Sequence, residues 1–183
     1  MRTIHQRDIE TIRRRSRRES GRIVILLLLL VIIVVAVFGL FCLLTEKSKN
    51  RQICEDNLKK IYRALEQFEN DRGVLPTLAY FPADPQADSD SLPVALESYG
   101  ADAHTCICPA MHLVLREMGL TYIWNSSLSG KRIPRSGAPV WMLVEMTAIS
   151  SDLPAPHIHQ FNVLYSDGSV KHVTNPLKEL PGL

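Results

Sequence analysis

Between Ile23 and Leu44 the chain has no acidic residue, no Lys, Arg or His and no Pro. Twenty-two residues without charge exclude an ordinary solvated helix. At 1.5 Å of rise per residue such a run spans the ~30 Å of a bilayer's hydrocarbon. Pro and Gly are also missing from Leu44 to Arg72, so nothing interrupts a helix that leaves the run. A continuous helix from about 23 to 72 is expected, ~75 Å long by its rise per residue. No A-x-A-like site follows the run, and its apolar core is longer than a usual signal peptide's, so retention is expected. Phe41 stands before Cys42, where lipoprotein processing wants a small residue. Gly39 has no G-x-x-x-G partner to mark a helix-pairing face. Catalytic signatures are missing too. There is no H-E-x-x-H and no C-x-x-C pair, and Ser126, Ser127 and Ser129 lie in no G-x-S-x-G elbow. The sequence holds no internal repeat or low-complexity segment.

Charge is distributed unevenly. Eight arginines against Asp8, Glu10 and Glu19 leave residues 1–22 at +5, so the remainder of this +2 chain carries −3. A basic stretch touching one end of a span marks the cytoplasmic side. Beside a span, the arginines read as a topology determinant and a contact for anionic lipid rather than a nucleic-acid patch. The expected organisation is therefore a basic cytoplasmic segment (1–22), a transmembrane helix (23–44) and an extracytoplasmic domain (45–183). The last is long enough for one compact core.

Cys42 falls inside the apolar run and reads as a small apolar residue. Cys54, Cys106 and Cys108 fall on the outer side, where disulfides persist. Three cysteines allow one bridge and one remainder. Cys106 and Cys108, one residue apart, would make a strained pair. Cys54 with either of them closes a long loop, worth ~2–4 kcal/mol.

After a polar patch, Cys54, Leu58, Ile61, Leu65 and Phe68 fall at helical spacings on one apolar face. Gly73 is the expected C-cap, with Pro76 beyond it. Residues 76–91 read as a Pro-rich acidic loop, followed by short helices at Leu92–Tyr99 and Met111–Met118. The period then changes. Leu120–Trp124, Val140–Met146, Phe161–Tyr165 and Val170–Val173 read as strands, with Asn125–Gly137 a turn-rich loop. The last two strands read as a hairpin about Asp167-Gly168, both turn residues being expected at positive φ. A long helix followed by a small antiparallel sheet is an α+β pattern, and the sheet is the expected partner of the helix's apolar face.

Several segments together resemble a known family. Cys54-Glu55-Asp56-Asn57-Leu58-Lys59-Lys60-Ile61 is similar to the C-x-x-N-L-K-x-I segment that follows the membrane helix of type II secretion pseudopilin-like proteins with a prepilin-type H-X9-DG domain. His157, nine residues and then Asp167-Gly168 has the spacing of that signature, and Asn162 falls where the family often has Asn. Cys108-Pro109 and Thr121-Tyr122-Ile123-Trp124-Asn125 look like the family's C-P and S-Y-x-x-N elements. The resemblance covers roughly residues 23–175 and implies a pilin-like fold. The family's leader junction is absent. Gly21 precedes Arg22 instead of Phe, and the fifth position after it is Leu26 instead of Glu. An unprocessed anchor is therefore expected.

The remaining residues offer little chemistry. His157 and His159, one residue apart, would share a face on a strand and with Asp167, Glu145 or His172 could bind a metal; a structural role for His157 is the preferred reading. Asp84, Asp88 and Asp90 could bind calcium, although a solvated acidic loop explains them. Cys106 has no base identifiable beside it, and Asp167-Gly168 is explained by its turn. Trp124 and Trp141 read as core; exposed, they would form a glycan or partner platform. The expected disulfide is Cys54–Cys108. The expected function is a non-enzymatic, cofactor-free component of a type II secretion or pilus-like assembly. It would be single-pass in a bacterial inner membrane, with the N-terminus cytoplasmic and the domain periplasmic. Its partners would be the bilayer and other pilin-like or secretion proteins, not nucleic acid. The alternative is an anchored extracytoplasmic module binding glycan, metal or peptide.

Overall fold

A computed structural model describes the backbone of residues 3–183 and the side chains of residues 25, 26 and 28–183. The side chains of the basic segment expected at residues 1–22 lie outside those described. The chain divides into two compact units, Met1–Glu46 and Lys47–Leu183. Helix α1 is assigned over Thr3–Arg72 and contributes to both.

In the first unit the described side chains from Ile25 to Leu44 are all exposed, most of them by more than half of their surface. Among the described residues this is one helix long and apolar enough to cross a membrane. Thr45 donates its hydroxyl to the Phe41 carbonyl at 2.8 Å, which satisfies a polar group inside the helix itself.

The second unit begins on the amphipathic part of α1. Cys54, Leu58, Ile61 and Leu65 are completely buried, as their spacing requires. Gly73 ends the helix at φ +82, where its N–H is donated to the Glu69 carbonyl at 2.7 Å. Only a residue without Cβ adopts that left-handed turn cheaply. The Glu69 side chain then secures the returning loop, accepting from Ile133 N at 2.8 Å and pairing with Arg135 at 2.8 Å.

Two short helices follow, α2 (Leu92–Leu96, extended by a 3₁₀ turn to Tyr99) and α3 (Leu113–Arg116). Then come β1 (Tyr122–Trp124), β2 (Trp141–Glu145), β3 (Phe161–Tyr165), β4 (Val170–Val173) and a last turn of helix, α4 (Pro176–Glu179). The strands form an antiparallel sheet in the order β1-β2-β3-β4, so β1 and β4 are its edges. Thus the fold is α+β, with a long apolar N-terminal helix and a four-stranded meander.

Both faces of the sheet are covered. Tyr122, Trp124, Leu143 and Leu164 pack in one cluster with Leu58, Ile61 and Leu65 of α1. Ile123, Trp141, Val144, Phe161, Val163 and Val173 pack in a second, with Ala148 and Leu180. That second layer comes from the 3₁₀ turn Met146–Ile149 and the C-terminal segment, neither of which has a sequence signal long enough to announce it. Each fully buried Leu or Ile contributes ~1.5–3 kcal/mol relative to exposure. A register shift between Trp141 and Leu143 sends Trp141 to one cluster and Leu143 to the other. One extra residue, Met142, makes this bulge.

The β3–β4 hairpin differs from expectation in its turn. Gly168 has φ +76, whereas Asp167 stays outside the left-handed region. Gly168 N is donated to the Tyr165 carbonyl and Tyr165 N to the Ser169 carbonyl, both at 2.9 Å. This is the longer connection in which a single left-handed Gly closes the turn. Asp167 accepts from Ser169 N and Oγ at 3.0 and 2.6 Å, which holds its carboxyl below the usual carboxylate range. A Cβ on Gly168 would lie 2.9 Å from the Tyr62 ring, so the position needs Gly for space as well as for φ.

Candidate functional site

Four elements bring polar side chains together inside the second unit. Cys54 comes from α1, Cys108 from the loop before α3, Glu145 from the last position of β2, and His157 from the segment before β3. Cys54 and Cys108 are joined by a disulfide across 54 residues of sequence. The Glu145 and His157 side chains are 0% and 2% exposed, and Glu145 Oε1 lies 2.7 Å from His157 Nε2. Cys108 Sγ is 3.4 Å from Glu145 Oε1 and 3.6 Å from His157 Nε2. A carboxyl this deep costs several kcal/mol unless it is partnered. Burial pushes its pKa up, and the imidazole and the Asn162 N–H oppose that shift.

Asn162 completes the partnering. Its backbone N–H is donated to Glu145 Oε2 at 2.9 Å, where the next rung of the β2–β3 ladder would fall. Its side-chain Nδ2 lies 3.0 Å from His157 Nε2 and 3.4 Å from Glu145 Oε1. Its Oδ1 lies 2.9 Å from His172 Nδ1, on the paired position of β4. His172 Nε2 is 3.4 Å from Glu55 Oε1 at the surface of α1. A polar chain therefore runs from Glu55 through His172 and Asn162 to the buried His157–Glu145 pair.

The candidate residues separate into groups. His157 and His159 do not share a face. Residues 157–160 form a turn closed by an isolated bridge between His157 and Gln160, and His159 sits in it at φ +54 with its side chain exposed. A two-histidine strand site is thereby ruled out. His159 instead lines a surface cleft of about 270 Å³ with Ser150, Leu153, Phe161 and Asn175. Asn57 donates to the Ile107 carbonyl at 3.1 Å and Leu58 is in the core, so these two fasten α1 to the cysteine loop and the sheet. Cys108 N is donated to Thr121 Oγ1 at 2.7 Å, a clamp for which the sequence carries no pattern. Cys106 is a buried free thiol whose pKa burial raises, and Cys42 is free and exposed. Asp84 Oδ1 accepts from Gln86 N at 3.0 Å and Asp88 Oδ2 from Asp84 N at 2.7 Å, so these two carboxylates serve the loop's own turns. Asp84, Asp88 and Asp90 form no three-carboxylate cluster among the described residues.

Trp124 and Trp141 are buried, with indole N–H groups donated to Ser129 Oγ at 2.9 Å and the Pro181 carbonyl at 2.8 Å. The ligand-type atoms of Cys54, Cys108, Glu145 and His157 all lie within 4.8 Å of one another. No family model, curated protein or solved structure matches this chain.

Proposed function

We propose that this chain is a single-pass, membrane-anchored, pilin-like structural component of a type II secretion or pilus-like envelope assembly. It keeps its N-terminal segment in the cytoplasm and its sheet domain in the periplasm of a bacterial inner membrane. The observation that carries the reading is the double use of α1. Its first part exposes every described apolar side chain from Ile25 to Leu44, and its later part supplies the buried face at Cys54, Leu58, Ile61 and Leu65. Exposed apolar surface on that scale marks a lipid or protein contact. A stem that anchors with one part and carries a sheet with the next is the arrangement expected of a pilin-like subunit. The H-X9-DG spacing adds to this. His157 fastens the entry to β3 and Gly168 closes the hairpin at its end, so both termini of the motif serve the same strand.

The site supports a scaffold rather than an enzyme. Glu145, His157 and Asn162 are buried and hydrogen-bonded to one another, which supports a structural role. Burial of both tryptophans and His157 argues against a glycan platform on those residues. The cleft beside His159, lined by both polar and apolar side chains, favours one second reading, a module that takes up peptide.

The tests are direct. Native protein recovered from membranes should begin at or near Met1; an N-terminus at Arg22 would refute the unprocessed anchor. Crosslinking in intact membranes should capture other pilin-like or secretion proteins. Capture of free peptide alone, abolished by Leu153→Asp, would favour the second reading.

A further inference from the structure

We propose that Cys54, Cys108, Glu145 and His157 form a buried zinc site when the Cys54–Cys108 disulfide is reduced, so that the domain has two interchangeable staples, a covalent one and a metallic one. The inference is independent of the assembly role proposed above and of the compartment. Oxidising surroundings favour the bridge, and reducing surroundings with available metal favour the ion.

Donor chemistry argues for zinc. Two thiolates, an imidazole and a carboxylate are a borderline-soft set of four, which suits tetrahedral Zn²⁺ and not calcium or magnesium. Distances argue the same way. Metal–ligand bonds of about 2.0–2.3 Å imply edges of roughly 3.3–3.8 Å between the ligands of a tetrahedron. Two edges already have that length, Cys108 Sγ to Glu145 Oε1 at 3.4 Å and Cys108 Sγ to His157 Nε2 at 3.6 Å. Breaking the S–S bond lets the sulfurs part toward a third. The His157–Glu145 contact, at 2.7 Å, has to open by somewhat more than half an ångström.

The surroundings are those of a structural metal centre. All four residues are buried, and they come from four separate segments that a central ion would hold together. Ligand orientation is supplied from outside the set. Asn162 N–H holds Glu145 Oε2 at 2.9 Å, and Thr121 Oγ1 accepts from Cys108 N at 2.7 Å. Such outer contacts are what fix ligands in metal sites. Cys106, two residues from Cys108, is not among the converging atoms.

The conversion balances. A dithiol gives two electrons and two protons to the Cys54–Cys108 bond and closes its own disulfide, leaving two cysteine thiols. Zinc then bonds both sulfurs, Nε2 of His157 and a Glu145 oxygen, and the two thiol protons leave to solvent. Any proton held between Glu145 and His157 leaves with them.

The test uses the full chain in detergent, reduced anaerobically with a phosphine, which leaves as its oxide and does not hold zinc. The reduced chain should take up a single equivalent of zinc against a chromophoric chelator. Cobalt(II) should give a thiolate charge-transfer band that the oxidised chain lacks. Cys106→Ser should bind unchanged. His157→Gln should lose more than the roughly 10–100-fold that removing an outer contact costs. Three results would overturn the proposal: no zinc uptake by the reduced chain with its helical signal retained, equal uptake by His157→Gln, or reduction that melts the domain without zinc restoring it.

Discussion

Two stretches of α1 use apolar residues in opposite ways. From Ile25 to Leu44 nearly every residue is apolar and all the described ones are exposed. From Cys54 to Phe68 seven of fifteen residues are apolar, and the ones at Cys54, Leu58, Ile61 and Leu65 are completely buried. Apolar content therefore does not measure a contribution to the folded core. Spacing does, because a stripe at three and four residues gives a helix one face to bury and leaves the rest to solvent. A helix apolar all round needs an apolar surrounding instead.

The sharpest way to break the comparison is to exchange the chemistry. Leu65→Asp should abolish the folded second unit, because it places an unpaired charge at a completely buried position. Val34→Asp should leave that unit's thermal transition unmoved while weakening retention in membranes. Circular dichroism and membrane flotation separate the two outcomes, and equal melting of both variants would erase the distinction.

Next in size is the bridge. Cys54→Ser in metal-free buffer should lower unfolding free energy by about 4 kcal/mol, given the 54-residue separation. Urea titration reads it, and Cys42→Ser in the apolar stretch should give no change. Gly168→Ala should cost roughly 1–3 kcal/mol, since it forces a left-handed residue against the Tyr62 ring. Tyr62→Ala in the same background relieves the clash but not the strained φ, so recovery should be partial.

The smallest effect is on acid stability. Asp102, which accepts from Thr105 N and Oγ1, and Asp167 with its Ser169 contacts both have carboxyls held below their ordinary range. Their stabilisation is complete above the ordinary carboxylate pKa and disappears as pH falls through the lowered folded values. Glu145, raised by burial, acts in the opposite sense, and its penalty grows as pH rises through and above that range. Ser169→Ala should flatten the acid limb slightly in urea midpoints taken from pH 5 to pH 2. Both aspartates are well exposed, so an effect rivalling that of Gly168→Ala would contradict this accounting.

How much of this was legible depends on range. The strands Phe161–Tyr165 and Val170–Val173 were readable to the residue, because short β-rich runs on either side of an Asp-Gly pair are a local signal. The apolar face of α1 and the Gly73 stop were readable for the same reason. β1 and β2 came out shorter than their apolar runs, since pairing partners rather than composition end a strand. Glu145 was nameable only as one of several partners for His157. Straight alternation puts Trp141, Leu143 and Glu145 on one face, and the bulge at Met142 moves Trp141 to the other, which no pattern of five residues reveals. His159 went wrong because two residues in the left-handed or turn region destroy the alternation that a strand would impose. The expected Cys54–Cys108 bridge is the one that forms, with Cys106 left as the free thiol.

The edge strand β4 has a consequence of its own. It is four residues long and carries Lys171 at its centre, with the ammonium 4.7 Å from the centroid of the Tyr165 ring. A free strand edge is a template on which a neighbouring copy can add its own strand, and crowding of identical domains raises that hazard. A short edge with a central lysine is a recognised safeguard against it. Lys171, at the centre of this short edge, is placed to discourage such edge-to-edge addition.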